Sequence, residues 1–173
     1  MNERNLRESF RFTTKDVVLM GILIATEVVL SRFLSLSLWN IKIGFAFVPV
    51  VIAAIKLGPI KAGTVAALGD FVGAMLFPIG QYFPGFTFTA FLMGMTHGIF
   101  LYEKQTTSRI ITGVLINQLI FSLLLNTLWI SILYGAPYQA VLVSRLVQTA
   151  ILVPVQIVVI SILNKSASRV LMA

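Results

Sequence analysis

The sequence predicts an all-α integral membrane protein with six transmembrane helices, and three observations carry that prediction. Hydrophobic residues make up 58% of the 173-residue chain and charged residues only 11%, whereas a soluble domain carries about 25% charged residues. Apolar runs long enough to cross a bilayer recur from one end to the other, a span needing about 17–25 mostly apolar residues. The basic residues gather in connectors that a six-span chain places on one side. With so little polar surface, most of this chain has lipid as its natural solvent.

Residues 1–16 are polar and basic and form an N-terminal segment ahead of the first apolar run. No small-residue cleavage site follows a short apolar core, so the first run is expected to stay as a helix and not to leave as a signal peptide. Spans are expected at about 17–37, 43–57, 60–77, 85–102, 110–134 and 140–163, within a single membrane domain covering 1–173. Turn-forming clusters divide them: Trp39-Asn40, Leu57-Gly58-Pro59, Phe77-Pro78 through Pro84-Gly85, Glu103 to Ser108, and Gly135-Ala136-Pro137. The second span is short and contains Pro49.

Charge orients the chain. Arg4, Arg7, Arg11 and Lys15 precede the first helix, Lys56 and Lys61 flank the second connector, Lys104 and Arg109 the fourth, and Lys165 and Arg169 follow the sixth helix; these are 10 of the 13 basic residues. By the positive-inside rule that side is the cytoplasm, so both termini are expected there. This distribution accounts for the net charge of +7 without nucleic acid, since no basic stripe with interleaved aromatics is present.

Arg32, Lys42 and Arg145 remain, all toward the outer side. A charge at the centre of a span costs about 2.5–3.5 kcal/mol on insertion scales, and less near an interface. Two readings fit them: snorkelling to the headgroups, or an outward-facing anion site. Ser122, Asn126 and Trp129 share one face of the fifth helix, and Arg145 and Gln148 one face of the sixth. Polar groups at such depth face protein or a cavity, because lipid offers no hydrogen bonds. They fit interhelical bonding, and their common depth on neighbouring helices favours a shared pocket. Tyr82, Phe83 and Phe86, with Trp39 and Phe45, fit an interfacial belt or a stacking surface for a planar ligand. Glu27 and Asp70 are acids within spans, and His97 reads as structural.

Small residues form stripes: Gly21 and Ala25 on the first helix, Ala62, Ala66, Gly69 and Gly73 on the third, Ala90, Gly94 and Gly98 on the fourth. Such stripes allow close helix approach, within the chain or to another membrane subunit. The chain has no cysteine, hence no disulfide and no thiolate metal site. Gly58-Pro59-Ile60-Lys61-Ala62-Gly63-Thr64 lacks the lysine that a phosphate loop needs before its final Thr. No acid pair, metal cluster or Ser/His arrangement supports an enzyme.

Several stretches together carry a family resemblance: Ser31-Arg32-Phe33-Leu34, Lys42-Ile43-Gly44-Phe45, Gly69-Asp70-Phe71-Val72-Gly73-Ala74, Leu76-Phe77-Pro78-Ile79-Gly80, Tyr82-Phe83-Pro84-Gly85-Phe86-Thr87 and Asn126-Thr127-Leu128-Trp129. Over about residues 14 to 163 the chain resembles folate-type S components, the substrate-binding subunits of energy-coupling factor (ECF) vitamin transporters. The resemblance implies a six-helix, S-component-like protein of a bacterial cell membrane that captures folate outside the cell and needs no cofactor. It implies as partners a transmembrane coupling subunit and two cytoplasmic ATPases, with ATP hydrolysis confined to the latter, and a toppling movement that carries the loaded site inward. Family members dock the coupling subunit through small residues on the first helix, commonly alanines four apart; here they are Gly21 and Ala25.

Folate joins a planar pterin, an aromatic linker and an anionic glutamate tail. Asn and Gln with aromatic neighbours suit the pterin, and arginine forks suit the carboxylates. The expected binding residues are Arg32, Lys42, Phe45, Phe86, Asn126, Trp129, Arg145 and Gln148, around a pocket between helices 4 to 6 closed by the outer connectors. Two alternatives stand beside this reading: an S component for another vitamin, and a self-sufficient small secondary transporter.

Overall fold

The structure, a computed structural model, describes residues 12–38 and 41–170, with only the backbone of 36–38, 41–43 and 166–170 described. Six helices follow one another: α1 (Thr14–Arg32), α2 (Phe47–Leu57), α3 (Pro59–Leu76), α4 (Pro84–Leu101), α5 (Thr107–Tyr134) and α6 (Tyr138–Val170). A short antiparallel hairpin, β1 (Ser35–Leu38) and β2 (Ile41–Gly44), joins α1 to α2.

The helix starts follow local chemistry. A capping box opens α1, with Asp16 N–H donating to Thr13 Oγ1 and Thr13 N–H to the Asp16 carboxylate. Pro59 and Pro84 occupy the first turns of α3 and α4, where a missing N–H costs nothing. Gly135, at φ 63°, ends α5 in the left-handed region that glycine adopts without a steric penalty. At the C-terminal end of α4, Arg109 donates to the carbonyls of Ile99 and Phe100, at 2.7 Å each, satisfying acceptors that a helix C-terminus leaves open.

Three boundaries depart from the expectation by four residues or more: the sixth helix runs to Val170, not to 163, and the other two flank one connector. The first helix ends at Arg32, not at 37, and the second begins at Phe47, not at 43. The intervening sequence alternates Leu34, Ser35, Leu36, Ser37, Leu38. That is the period of a strand, and pairing of Leu36 with Ile43 and Leu38 with Ile41 satisfies its backbone. The fifth helix is widened in its middle, Ile116–Leu125 being π-helical, a form that is rare and is often found at functional sites. The sixth helix carries Pro154 inside it, so the carbonyl of Ala150 loses its usual helical donor.

The small-residue stripes turn out to have different jobs. A Cβ on Gly94 would sit 2.5 Å from the Ala62 carbonyl oxygen, and one on Gly98 would strike Pro59, so α3 and α4 pack backbone to backbone. Gly69 and Gly73 instead make room for side chains of α1, Glu27 and Arg32. Among the described residues, Gly21 meets nothing within 4 Å of where its Cβ would be, and Ala25 is exposed beside it.

Two apolar clusters hold the bundle. Met20 and Leu23 of α1, Ala53, Ala54 and Leu57 of α2 and Ala62 and Val65 of α3 form the first, and Val51, Leu101, Ile110, Val114 and Ile160 join α2 to α4, α5 and α6 in the second. Large apolar side chains such as Val18, Ile22, Phe88, Leu119, Val147 and Ile162 point outward, as a lipid-facing surface requires. By length and composition, Thr107–Tyr134 and Tyr138–Lys165 each suffice to cross a membrane, with mean hydropathies of 1.7 and 2.3.

Candidate functional site

Beneath the hairpin lies a cavity of about 330 Å³, within the range of small-molecule sites. Its roof is Ser35, Gly44, Ala46 and Phe47; one wall is Asp70 of α3 with Phe86, Ala90 and Met93 of α4; the other is Gln118, Ser122 and Asn126 of α5 with Arg145, Gln148, Leu152 and Gln156 of α6. Gly44 pairs with Ser35 across the hairpin, and a Cβ there would come within 2.6 Å of the Ser35 Cβ. A glycine at this point lets the two strands close over the cavity.

Arg145 is 7% exposed. Its Nη2 donates to the Ser122 carbonyl oxygen at 3.1 Å and approaches Ser122 Oγ at 3.4 Å. These bonds fix the guanidinium against α5 at the cavity wall, where it can meet an anionic group. Asp70 accepts a 2.8 Å hydrogen bond from Thr87 Oγ1, which is also bonded to the Tyr82 hydroxyl at 3.2 Å. Tyr82, in the loop expected to be an interfacial belt or a stacking surface, thus reaches this carboxylate through Thr87 of α4.

Of the residues singled out from sequence, Phe86, Asn126, Arg145 and Gln148 meet at this cavity. Phe45 stands outside it, half exposed, its ring 6.3 Å from that of Phe47, which lines the roof in its place. Trp129 lies behind the wall: its Nε1 donates to Thr89 Oγ1 at 2.9 Å and its ring is 5.5 Å from Phe83. Arg32 is at the C-terminal end of α1 with its guanidinium against Gly73 and near Asp70 and Glu27. The side chains of Trp39 and Lys42 lie outside the described residues.

Sequence reasoning passed over Asp70, Gln118 and Gln156 as site residues. The signal for the last two was present. Gln118 is four residues before Ser122, and Gln156 is eight after Gln148, each on the helical face already chosen. What was missing was the depth of the cavity.

A family model for the substrate-specific component of ECF transporters matches residues 15–164. The chain belongs to this family. It is 40% identical over 145 residues to the folate transporter FolT of Clostridium novyi (strain NT), covering 83% of this chain and 84% of the relative. It is 29% identical to the FolT of Leuconostoc mesenteroides subsp. mesenteroides over 85% of this chain and 83% of that one. A crystal structure of FolT bound with folic acid superposes with a TM-score of 0.84 at 39% identity, over 89% of this chain and 95% of that one. The S component of another bacterial ECF transporter shares the fold at 23% identity, with a TM-score of 0.68 over 92% and 98% of the two chains. As an ECF S component the protein is a membrane-embedded transporter subunit and not an enzyme.

Proposed function

We propose that this S component captures folate at the outer face of a bacterial cell membrane and delivers it inward as part of an ATP-driven ECF complex. The observation that supports this most is the cavity itself. It joins a buried arginine, four amide side chains and the Phe86 and Phe47 rings, the functional groups that a carboxylate tail, a heteroaromatic edge and an aryl linker ask for. The FolT relatives and the folic acid complex of FolT point to the same ligand. Arg145 holds the tail, Phe86, Asn126 and Gln148 contact the rest of the ligand, and Arg32 and Lys42 draw the anion toward the mouth. Phe45 backs the Phe47 ring, and Trp129 supports the Phe86 ring through Phe83.

The chain spans the membrane six times with both termini in the cytoplasm, as its basic connectors ask. A transmembrane coupling subunit docks on α1 at Gly21 and Ala25, and two cytoplasmic ATPases supply the energy. The open space over Gly21 and the outward position of Ala25 support that face, because the other small residues described above already serve packing inside the chain. Purified protein in lipid nanodiscs, titrated with folate, riboflavin, thiamine and pantothenate, tests the substrate. Selective folate binding is expected, and selective binding of another vitamin would overturn the reading. Uptake by the reconstituted chain alone, without any ATPase, would favour a self-sufficient transporter.

A further inference from the structure

We infer that the cavity opens on its α5–α6 side: the C-terminal part of α5 and the N-terminal part of α6 form one flap, hinged at the π-helical turns of α5 and at Pro154 of α6, and latched shut by Trp129 on Thr89. The rate measurements that test it use folate and so rest on the reading above, while a second measurement needs no ligand.

The two breaks lie in one layer. Helices bend sharply at prolines and at π-type turns. The π-helical turns of α5 are Ile116–Leu125, and α6 has Pro154 inside it. Gln118 and Ser122 belong to those turns, Leu152 and Gln156 stand on either side of Pro154, and all four line the cavity. Both helices of this wall are thus interrupted at the level of the cavity. A bend at Pro154 costs no hydrogen bond at Ala150, whose carbonyl has already lost its helical donor.

On one side of the breaks the two helices are anchored to the rest of the bundle. Ile110 and Val114 of α5 and Ile160 of α6 are buried in one apolar cluster with Val51 of α2 and Leu101 of α4. Arg109 holds two carbonyls of α4, and Asn164 Nδ2 donates to the Gln105 carbonyl at 2.9 Å. On the other side the helices are tied to each other. The turn Gly135-Ala136-Pro137 joins them. Ser131 Oγ donates to the Ala136 carbonyl at 2.7 Å, and Arg145 Nη2 to the Ser122 carbonyl at 3.1 Å. Anchored ends and a mutually bound free end make a unit that swings about its hinges. The flap carries Asn126, Arg145 and Gln148, and its swing draws them away from Phe86, Ala90 and Met93 of α4.

Trp129 holds this flap against α4. Its Nε1 donates to Thr89 Oγ1 at 2.9 Å, and Thr89 is 1% exposed. The indole lies on Gly85 in the first turn of α4, where a Cβ would come within 2.7 Å of the ring. The Thr89 hydroxyl in turn donates to the Gly85 carbonyl at 2.9 Å, so its lone pairs are turned to the indole. A buried indole N–H needs a partner, and parting the two helices removes it. The closed form is therefore favoured by a bond that one swing can break.

The first test measures folate association and dissociation rates on the purified chain in nanodiscs. Trp129→Phe keeps a ring beside Gly85 and removes the N–H, and Thr89→Val removes the acceptor. A flap that must open for entry and for exit changes both rates by one factor. Each variant should therefore raise both rates by about threefold or more, the size of one lost hydrogen bond, and leave Kd within about twofold of the parent. Pro154→Ala returns a donor to Ala150 and should lower both rates together. A rise in dissociation alone would make Trp129 a support of the site and overturn the latch. Unchanged rates in all three variants would overturn the flap and leave the hairpin as the way in.

The second test places spin labels on Ile132→Cys in the flap and Leu76→Cys at the end of α3, positions 57% and 65% exposed, in the ligand-free protein. Trp129→Phe should shift their distance distribution outward and Pro154→Ala should shift it inward. No shift in either overturns the flap. Absence of folate binding would overturn the folate reading alone, and the label distances would then decide the flap. If Pro154→Ala does not fold, the Trp129 and Thr89 variants decide it.

Discussion

The guanidinium of Arg32 occupies the space that a side chain on Gly73 would fill, its Nε 2.8 Å from the position of a Cβ there. Helix α1 thus rests its C-terminal end on a glycine of α3, with Asp70 and Glu27 nearby. Gly73→Ala should displace the arginine and destabilise the protein by about 1–3 kcal/mol, as overpacking does. In an Arg32→Ala background the same change should cost far less, because the obstructing group has gone. A double-mutant cycle on melting curves measures the difference. Additive effects would show that the two residues do not share this contact.

At the opposite end of the bundle, Lys61 Nζ lies 2.9 Å from Asp16 Oδ2, tying the capping turn of α1 to α3 just before the apolar run that begins at Val17. The Lys61 ammonium, together with the Thr13 N–H and hydroxyl, lowers the Asp16 pKa from 3.8 to about 2. A carboxylate whose pKa is depressed by folding contributes stability that is present in full above its unfolded value. That contribution is lost as the pH falls through the folded value. Asp16→Asn should therefore lower the melting temperature at pH 7, and the gap to the parent should shrink between about pH 4 and pH 2. A gap that is the same at pH 7 and pH 2 would rule out this ion pair as its source.

Much of this architecture can be read from the chain, and what cannot has physical reasons. Apolar runs divided by Pro and Gly give the helices, because a proline opens α3 at Pro59 and α4 at Pro84. The hairpin is hidden because Leu34, Leu36 and Leu38 extend the apolar run of the first helix, and only their alternation with serine betrays a strand. Helical spacing tells which side chains share a face, so Asn126 and Gln148 were within reach. It does not tell what already fills the space in front of that face. Trp129 is satisfied by Thr89 and Arg32 is lodged on Gly73, and both contacts depend on neighbouring helices far away in sequence.

The exposed face of α1 gives a prediction about assembly. Gly21→Leu or Ala25→Leu should impair co-purification with the coupling subunit, and transport with it, while leaving folate affinity unchanged. A bulky side chain would hold a partner helix away from a face suited to close approach. Because none of the described residues lies within 4 Å of a Cβ on Gly21, the substitution should leave the melting temperature of the isolated chain close to that of the parent. Full complex formation by both variants would remove α1 as the docking face.

Orientation can be tested on an engineered label because the chain has no cysteine of its own. Gln81, in the loop before α4, and Lys104, in the loop after it, are both exposed. A cysteine at position 81 should react with a membrane-impermeant maleimide in intact cells, and one at position 104 only after the membrane is opened. Equal labelling of both in intact cells would refute the six-span topology.

The glutamate tail should be read chiefly by Arg145. Its guanidinium is buried at the cavity wall and held by Ser122, whereas the Arg32 guanidinium rests against Gly73 and would meet the ligand only from further away. Pteroate keeps the pterin and the aryl linker but lacks the glutamate. Arg145→Ala should therefore weaken folate more than pteroate. A charge-assisted bond is worth about 1.5–3 kcal/mol, so the differential should be on the order of tenfold or more. Arg32→Ala should show the same sign with a smaller differential, as expected of attraction at a distance. Asn126→Ala and Gln148→Ala should weaken the two ligands alike, because neutral amides have little to offer a dianion. Titration of each purified variant with both ligands, beside a melting curve that reports folding, makes the comparison. If Arg145→Ala loses folate and pteroate equally, the arginine does not read the tail, and its place on the cavity wall serves the joint between α5 and α6 instead.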